Sequence, residues 1–142
     1  SESEHLIREN NKRFSEEQVK LRRTLSSMQE ELKEKLFVEM KDRLARFAES
    51  SDYQRLLVRQ LKEAIAFARG EEVILYIDPS DAERKTSLEV EAGAPITVSS
   101  YSFMGGTRAV IPGRHILIDN SFETKLAEAR EKFKLRGGTA YE

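Results

Sequence analysis

The chain has 142 residues, 35% of them charged and 39% hydrophobic, with a formal net charge of -1. That balance allows a thin core under a large solvated surface, enough for one ordinary domain or a smaller one with an extension, and it favours long helix over disorder. With 11 basic and 11 acidic residues before Ser50, and 13 and 14 after it, neither half has the basic excess of a phosphate-backbone binder, and the lack of cysteine excludes disulfides and thiolate metal sites. A reducing cytoplasm is permitted. No apolar run approaches the roughly 20 residues of a membrane span. There is neither a signal-peptide pattern nor an initiator Met, and the opening reads as a fragment cut inside a longer helix.

From about Ser15 to Glu49 the chain holds no Gly or Pro and is rich in strong helix formers. Its apolar positions are Leu21, Leu25, Met28, Leu32, Leu36, Met40, Leu44 and Phe47. Counting from Phe14, with Gln18 as an interruption, the mean step is roughly 3.7 residues. A seam repeating more slowly than 3.6 favours a right-handed supercoil. About 35 helical residues span roughly 50 Å, whereas the remaining residues would fold to a radius of gyration of about 12 Å. Such a helix outruns its own domain and needs a partner over its stripe. Its C-terminal third, Leu36 to Phe47, can instead dock on the domain.

A second helix is expected from Asp52 or Tyr53 to Arg69, with Ser50, Ser51 or Asp52 as N-cap and Gly70 at C′. Its buried face is Tyr53, Leu56, Leu57, Leu61, Ala64, Ile65 and Ala68. "VILYI" (Val73 to Ile77) is apolar on both parities, as in a central strand covered on both faces. Ser80 and Glu83 then suggest a capping box for a short helix stopped at Gly93, and "PITVS" reads as a strand parallel to the first. Arg108 to Ile111 and His115 to Ile118 form a hairpin around Pro112-Gly113, a pair suited to a type II turn but set in a longer loop. A last helix starts at Asn120 or Ser121, with Phe122, Leu126, Ala129 and Phe133 on one side, and 136–142 is expected to fray. The fold class is α+β: a long coiled-coil-type helix (1–49), a small α/β domain (50–135) in the order α-α-β-α-β-β-β-α overall, and a flexible tail (136–142).

Residues capable of chemistry are few. Gly105-Gly106 invites a phosphate reading, but no P-loop pattern follows and a strand comes next, which points to a bulge or tight strand entry. Asp119 and Asn120 are placed to cap the last helix, with Glu123 reaching back. His115 and His5 have no second ligand at metal spacing. Asp78 and Asp81 flank Pro79-Ser80 at a strand end, where turn and cap duties account for both. Tyr76, Tyr101 and Phe103 could stack bases, but no basic stripe accompanies them. No catalytic, metal or cofactor residue is assigned, and no nucleic-acid partner or direct membrane insertion is expected.

The glycine pair Gly105, Gly106, followed by "ILIDNSFETKL" with Ile116, Ile118, Asp119, Asn120, Phe122, Glu123 and Leu126, carries a resemblance. Behind a long charged helix, it resembles the E subunit of V-type and A-type rotary ATPases. The turn "AVIPGRH" has no counterpart in that family's pattern, and "KLRGGTAYE" ends the chain where family members continue with a more apolar helical tail. The resemblance implies a non-catalytic peripheral-stalk (stator) subunit of a proton- or sodium-translocating ATPase or ATP synthase, on the cytoplasmic side of a membrane-bound complex. It implies a heterodimer with a G-type stalk helix along Leu21, Leu25, Met28, Leu32, Leu36 and Met40. It also implies docking on the B subunit of the ATPase head, and a link to a membrane-anchored collar subunit through the missing N-terminal end. Three other readings share parts of the pattern: a stator or regulator of a flagellar or type III export ATPase, a ligand-binding α/β module with a dimerising helix, and a self-associating coiled coil with a passive head.

Overall fold

A computed structural model describes the backbone of residues 1–141 and the side chains of 1–133. The elements are α1 (Glu2–Ala48), α2 (Asp52–Ala68), β1 (Ile74–Ile77), a 3-10 turn (Pro79–Arg84), α3 (Lys85–Ala92), β2 (Thr97–Val98), β3 (Gly106–Ile111), a second 3-10 turn (Pro112–Arg114), β4 (Ile116–Ser121) and α4 (Phe122–Tyr141). This is the expected order and an α+β fold. The chain divides into two units, Ser1–Val38 with Arg130–Glu142, and Glu39–Ala129. Side chains of the expected tail, 136–142, lie outside the described residues, as does Glu142 altogether.

In the first unit α1 is helical from Glu2, so His5 lies in a formed helical turn. The Ser1 hydroxyl accepts the Glu4 N–H at 3.3 Å, and Glu2 and Glu4 place negative charge at the positive end of the helix dipole. At the other end, the Ser50 hydroxyl and N–H both donate to the Phe47 carbonyl, at 2.7 and 2.9 Å. Ser50 thus closes α1 instead of capping α2, whose N-cap position, Ser51, makes no side-chain bond.

The second unit is a four-stranded sheet in the order β2-β1-β3-β4. β1 runs parallel to β2, with Tyr76 opposite Thr97, and antiparallel to β3, with Tyr76 opposite Arg108; β3 and β4 form the antiparallel hairpin. Tyr53, Leu57, Leu61 and Ala64 of α2 share one core with Leu75, Ile77, Leu88, Ile96, Ala109 and Phe122, and Leu44, Phe47 and Ala48 pack against it. Each fully buried Leu or Ile there contributes about 1.5–3 kcal/mol relative to exposure. Burial along β1 alternates, with Leu75 and Ile77 buried and Ile74 and Tyr76 half-buried. The expectation of a strand covered on both faces is therefore corrected. The helices of this unit cover one face, and the other stays open despite its apolar residues.

Turn chemistry also differs from expectation in two places. Asp78, not Ser80 with Glu83, caps the turn after β1, its carboxylate accepting the Ser80 N–H at 2.9 Å. The hairpin loop, as expected, is longer than a two-residue turn: a 3-10 turn with His115 in the left-handed region (φ 54°). β4 continues through Asp119 and Asn120 to Ser121, so α4 begins at Phe122. Ladder pairing of Asn120 with Thr107 and of Ser121 with Gly106 holds those residues extended.

Helix, turn and strand entry of this second unit are joined around one phenol. Tyr53 is 1% exposed; its hydroxyl donates to Asp81 Oδ2 at 2.5 Å and accepts the Gly106 N–H at 3.1 Å. Burial first, then the bond to Asp81, pushes the Tyr53 pKa well above its ordinary value. Burial likewise raises that of Asp81, against the lowering effects of Tyr53 and Arg84. Gly105 and Gly106 let this approach happen. At Gly106 (φ 75°) a Cβ would overlap the Asn120 carbonyl oxygen, and at Gly105 (φ 132°) it would lie 2.9 Å from both the Tyr53 hydroxyl and the Phe122 ring.

Two measurements check this arrangement. Tyr53→Phe leaves the Gly106 N–H without its acceptor and Asp81 without its donor, so urea denaturation should show a loss of about 2 kcal/mol. A loss under about 0.5 kcal/mol would show the hydroxyl to be incidental. Gly106→Ala should cost at least about 2 kcal/mol through strain and overlap, whereas Gly113→Ala, which meets nothing within 4 Å, should stay within about 0.5 kcal/mol of the parent. Equal effects at the two glycines would contradict the geometry.

Candidate functional site

No group of three His, Cys, Asp or Glu side chains among the described residues could hold a metal ion. The N–H of Gly106 is taken by the Tyr53 hydroxyl (3.1 Å) rather than left for an anion. The first N–H groups of α4 are occupied as well, Phe122 N–H by the Gly105 carbonyl (2.9 Å), Glu123 N–H by that of Phe103 (3.1 Å) and Thr124 N–H by the Ser121 hydroxyl (3.2 Å). Asp78 spends its carboxylate on the same loop, accepting the Phe103 N–H at 2.7 Å and the Ser80 hydroxyl at 2.6 Å. Burial opposes its charge, but the donors from Ser80, Phe103 and Ser102 outweigh it and hold its pKa below the ordinary value.

The "IDNSFE" motif folds into the β4–α4 junction. Ile118 packs against the core, Ile116 pairs with Ile111, and Phe122 and Leu126 are buried. Ser121, not Asp119 or Asn120, is the cap. Asp119 stands behind it, accepting from the Ser121 hydroxyl (2.6 Å), the Ser121 N–H (3.0 Å) and the Thr124 hydroxyl (2.7 Å). Glu123 does not reach back to the cap; it accepts from Arg108 Nη2 at 3.1 Å. Asn120 pairs across the ladder with Thr107, whose hydroxyl donates to Gln60.

Arg108 organises the open face of the sheet, a role nothing in the sequence pattern marks. Its guanidinium lies 4.7 Å from the Phe103 ring centroid, and its Nε is 3.3 Å from Asp119 Oδ2, an ion pair without hydrogen-bond alignment. Around it Tyr76, Tyr101, Val110 and Leu117 line a shallow concavity of about 550 Å³. Tyr101 and Leu117 are 78% and 59% exposed. The three aromatic residues considered for base stacking do come together here, beside two carboxylates rather than a basic stripe.

The second surface is on α1. Of the expected seam, Leu21, Met28 and Leu32 are 58%, 60% and 51% exposed, Leu36 and Met40 are exposed at 37%, and Leu25 is half-buried. Leu44 and Phe47 instead pack on the core of the second unit. A different face of α1 is taken up within the first unit. Arg130 of α4 meets Glu34 Oε1 at 2.5 Å and stacks 5.0 Å from the Phe37 ring centroid. Phe37 falls outside the seam spacing and lies roughly 140° around the helix from Leu32 at ~100° per residue. Leu21, Met28 and Leu32 stay exposed, whereas Leu25 is half-buried and the neighbouring Lys33 is buried.

Asp119 gives the β4–α4 junction a pH signature. Burial works against its charge, but hydrogen bonds from Ser121 and Thr124 and the nearby Arg108 guanidinium hold its pKa at about 2, below the ordinary 3.8. A carboxylate depressed in the folded state stabilises above its unfolded pKa and loses that contribution as pH falls through the folded one. Asp119→Asn should therefore cost about 2 kcal/mol at pH 7, since a tenfold change in proton affinity is worth ~1.4 kcal/mol, with the gap closing between about pH 4 and 2. Urea midpoints at about pH 7 and 2.5 test this; an unchanged gap at the lower pH would refute the assignment.

No family model matches the chain. It is 25% identical over 132 residues, 89% of its own length, to the E 2 subunit of the A-type ATP synthase of Methanospirillum hungatei JF-1, and it spans 64% of that relative's length. A match this long takes in residues of α1 as well as the α/β unit. The chain is thus similar to an E subunit of an A-type ATP synthase, and the likeness supports a place among ATPase subunits.

Proposed function

We propose that the chain is a non-catalytic peripheral-stalk subunit of a V- or A-type ATPase or ATP synthase, one that couples proton or sodium transport to its head. In this reading α1 pairs with a smaller G-type stalk helix, and the α/β unit docks on the B subunit of the head. The stalk links the head to a membrane-anchored collar and holds it still against rotor torque. The observation that carries the proposal is the exposed stripe Leu21, Met28 and Leu32 on an unbroken 47-residue helix. The similarity to an E subunit and the IDNSFE junction point the same way.

The physics suits a stator. Balanced charges keep the outside of α1 soluble while the stripe seeks a partner. At about 25 cal/mol per Å² of apolar area, a partner helix gains several kcal/mol along it, before the cost of association. The step of roughly 3.7 residues favours a right-handed pair. No described helix is long and apolar enough to cross a membrane, so attachment would run through other subunits. The open sheet face, with Tyr101 and Leu117 exposed, is a surface of the kind a head subunit needs.

Co-expression with the small helical stalk subunit tests the reading. Light scattering should give a one-to-one heterodimer, and Leu25→Glu with Leu32→Glu should weaken it at least tenfold while the circular dichroism of the chain is unchanged. A chain that ignores the stalk helix would reduce the likeness to one of fold.

A further inference from the structure

The two edges of the sheet are finished differently. β2, at one edge, is two residues long and comes shortly after Pro95, and both features blunt an edge against further pairing. β4, at the other edge, runs for six residues without Pro, Gly or Lys. The loop bonds show which way its backbone groups are directed. In an antiparallel ladder, pairs that exchange both backbone bonds alternate with pairs that exchange none. The Gly106 N–H goes to the Tyr53 hydroxyl and the Ser121 N–H to Asp119 Oδ1, so Gly106 and Ser121 are a pair that exchanges none. One step further, the Phe122 N–H bonded to the Gly105 carbonyl fits the same alternation. Asn120 and Ile118 therefore bond to β3, whereas the N–H and C=O of Leu117 and Asp119 are directed away from it. No backbone bond outside the ladder reaches those four groups among the described residues.

The side chains beside this edge indicate what would pair with it. Leu117 is 59% exposed on the open face. On the same face Arg108 meets two carboxylates, Asp119 and Glu123, which leaves that cluster one negative charge in excess. A strand added along β4, in either direction, sets the side chains opposite Leu117 and Asp119 on this face, two positions apart. An apolar side chain suits the first and a basic one the second. A second copy of this chain does not suit. The one antiparallel register that pairs both residues sets Leu117 of each copy opposite Asp119 of the other, and a parallel one sets Asp119 against Asp119.

We propose that the free edge of β4 takes up an extended segment of another protein by strand addition, the segment carrying an apolar and a basic residue two positions apart. This goes beyond the stalk reading, since it holds for whichever chain supplies the strand.

Amide hydrogen exchange, followed by NMR on the whole chain, tests it. In the free chain the Leu117 and Asp119 amides should exchange at least tenfold faster than those of Ile118 and Asn120, which bond to β3. A saturating concentration of the capped peptide Thr-Arg-Thr-Val-Thr should slow both by at least tenfold. The same peptide with Glu in place of Arg should bind about tenfold more weakly. Leu117→Pro removes one outward N–H, a change an edge strand tolerates, and should abolish peptide binding while Ile118 and Asn120 stay protected. Leu117 and Asp119 amides as slow as that of Ile118 in the free chain would overturn the proposal, as would no added protection at any peptide concentration. Equal binding of the Glu peptide would overturn the basic residue in the segment. A chain that fails these tests and still forms the heterodimer with the stalk helix would sink only the strand addition.

Discussion

The hydroxyl of Tyr53 is the point on which the α/β unit depends, because it joins three segments far apart in the chain by two bonds buried from water. It donates to Asp81, in the turn after β1, and accepts from Gly106, at the start of β3, while the ring belongs to α2. Phe47 meets that ring edge-on at 6.1 Å, Phe122 lies tilted at 5.7 Å, and the Arg84 guanidinium sits 5.0 Å from its centroid. Breaking either hydrogen bond would leave a buried polar group without a partner, which costs more than the bond itself contributes. Gly105 follows from this constraint, since a Cβ there would meet the phenol, while Gly106 is held to glycine by the backbone of Asn120 beside it.

The same packing leaves surfaces uncovered. A four-stranded sheet with its helices on one side presents its other face to solvent, and here that face is apolar around one clamped arginine. The long helix likewise shows water a stripe it does not need for its own packing. In a monomer such stripes are a liability. In an assembly they are what a stiff, non-catalytic link uses to grip its neighbours. The polar groups of the turn and cap residues hold the loops.

Much of the fold was legible from the residues because its signals are local. A long run without Gly or Pro and with apolar steps of three and four reads as helix whatever surrounds it, and α1 is that helix. The buried face of α2, the parallel strand pair and the hairpin were all marked by period and by turn residues. Caps were read less well. Ser80, Asn120 and Glu123 each had the residue type for capping, but Asp78 and Ser121 took those roles. Strand pairing decided it at the last helix, by holding Asp119 and Asn120 extended to the end of β4.

What the sequence by itself determined is therefore the order of elements, the apolar stripe of α1 and the motif that carries the resemblance, since each is written in neighbouring residues. The tertiary structure alone decided that Tyr53, Asp81 and Gly106 meet, that Arg108 gathers Asp119, Glu123 and Phe103 on an open sheet face, and that Phe37 rather than the stripe receives Arg130. Those meetings join residues distant along the chain. Such contacts depend on how whole elements pack, and no local period or spacing encodes them.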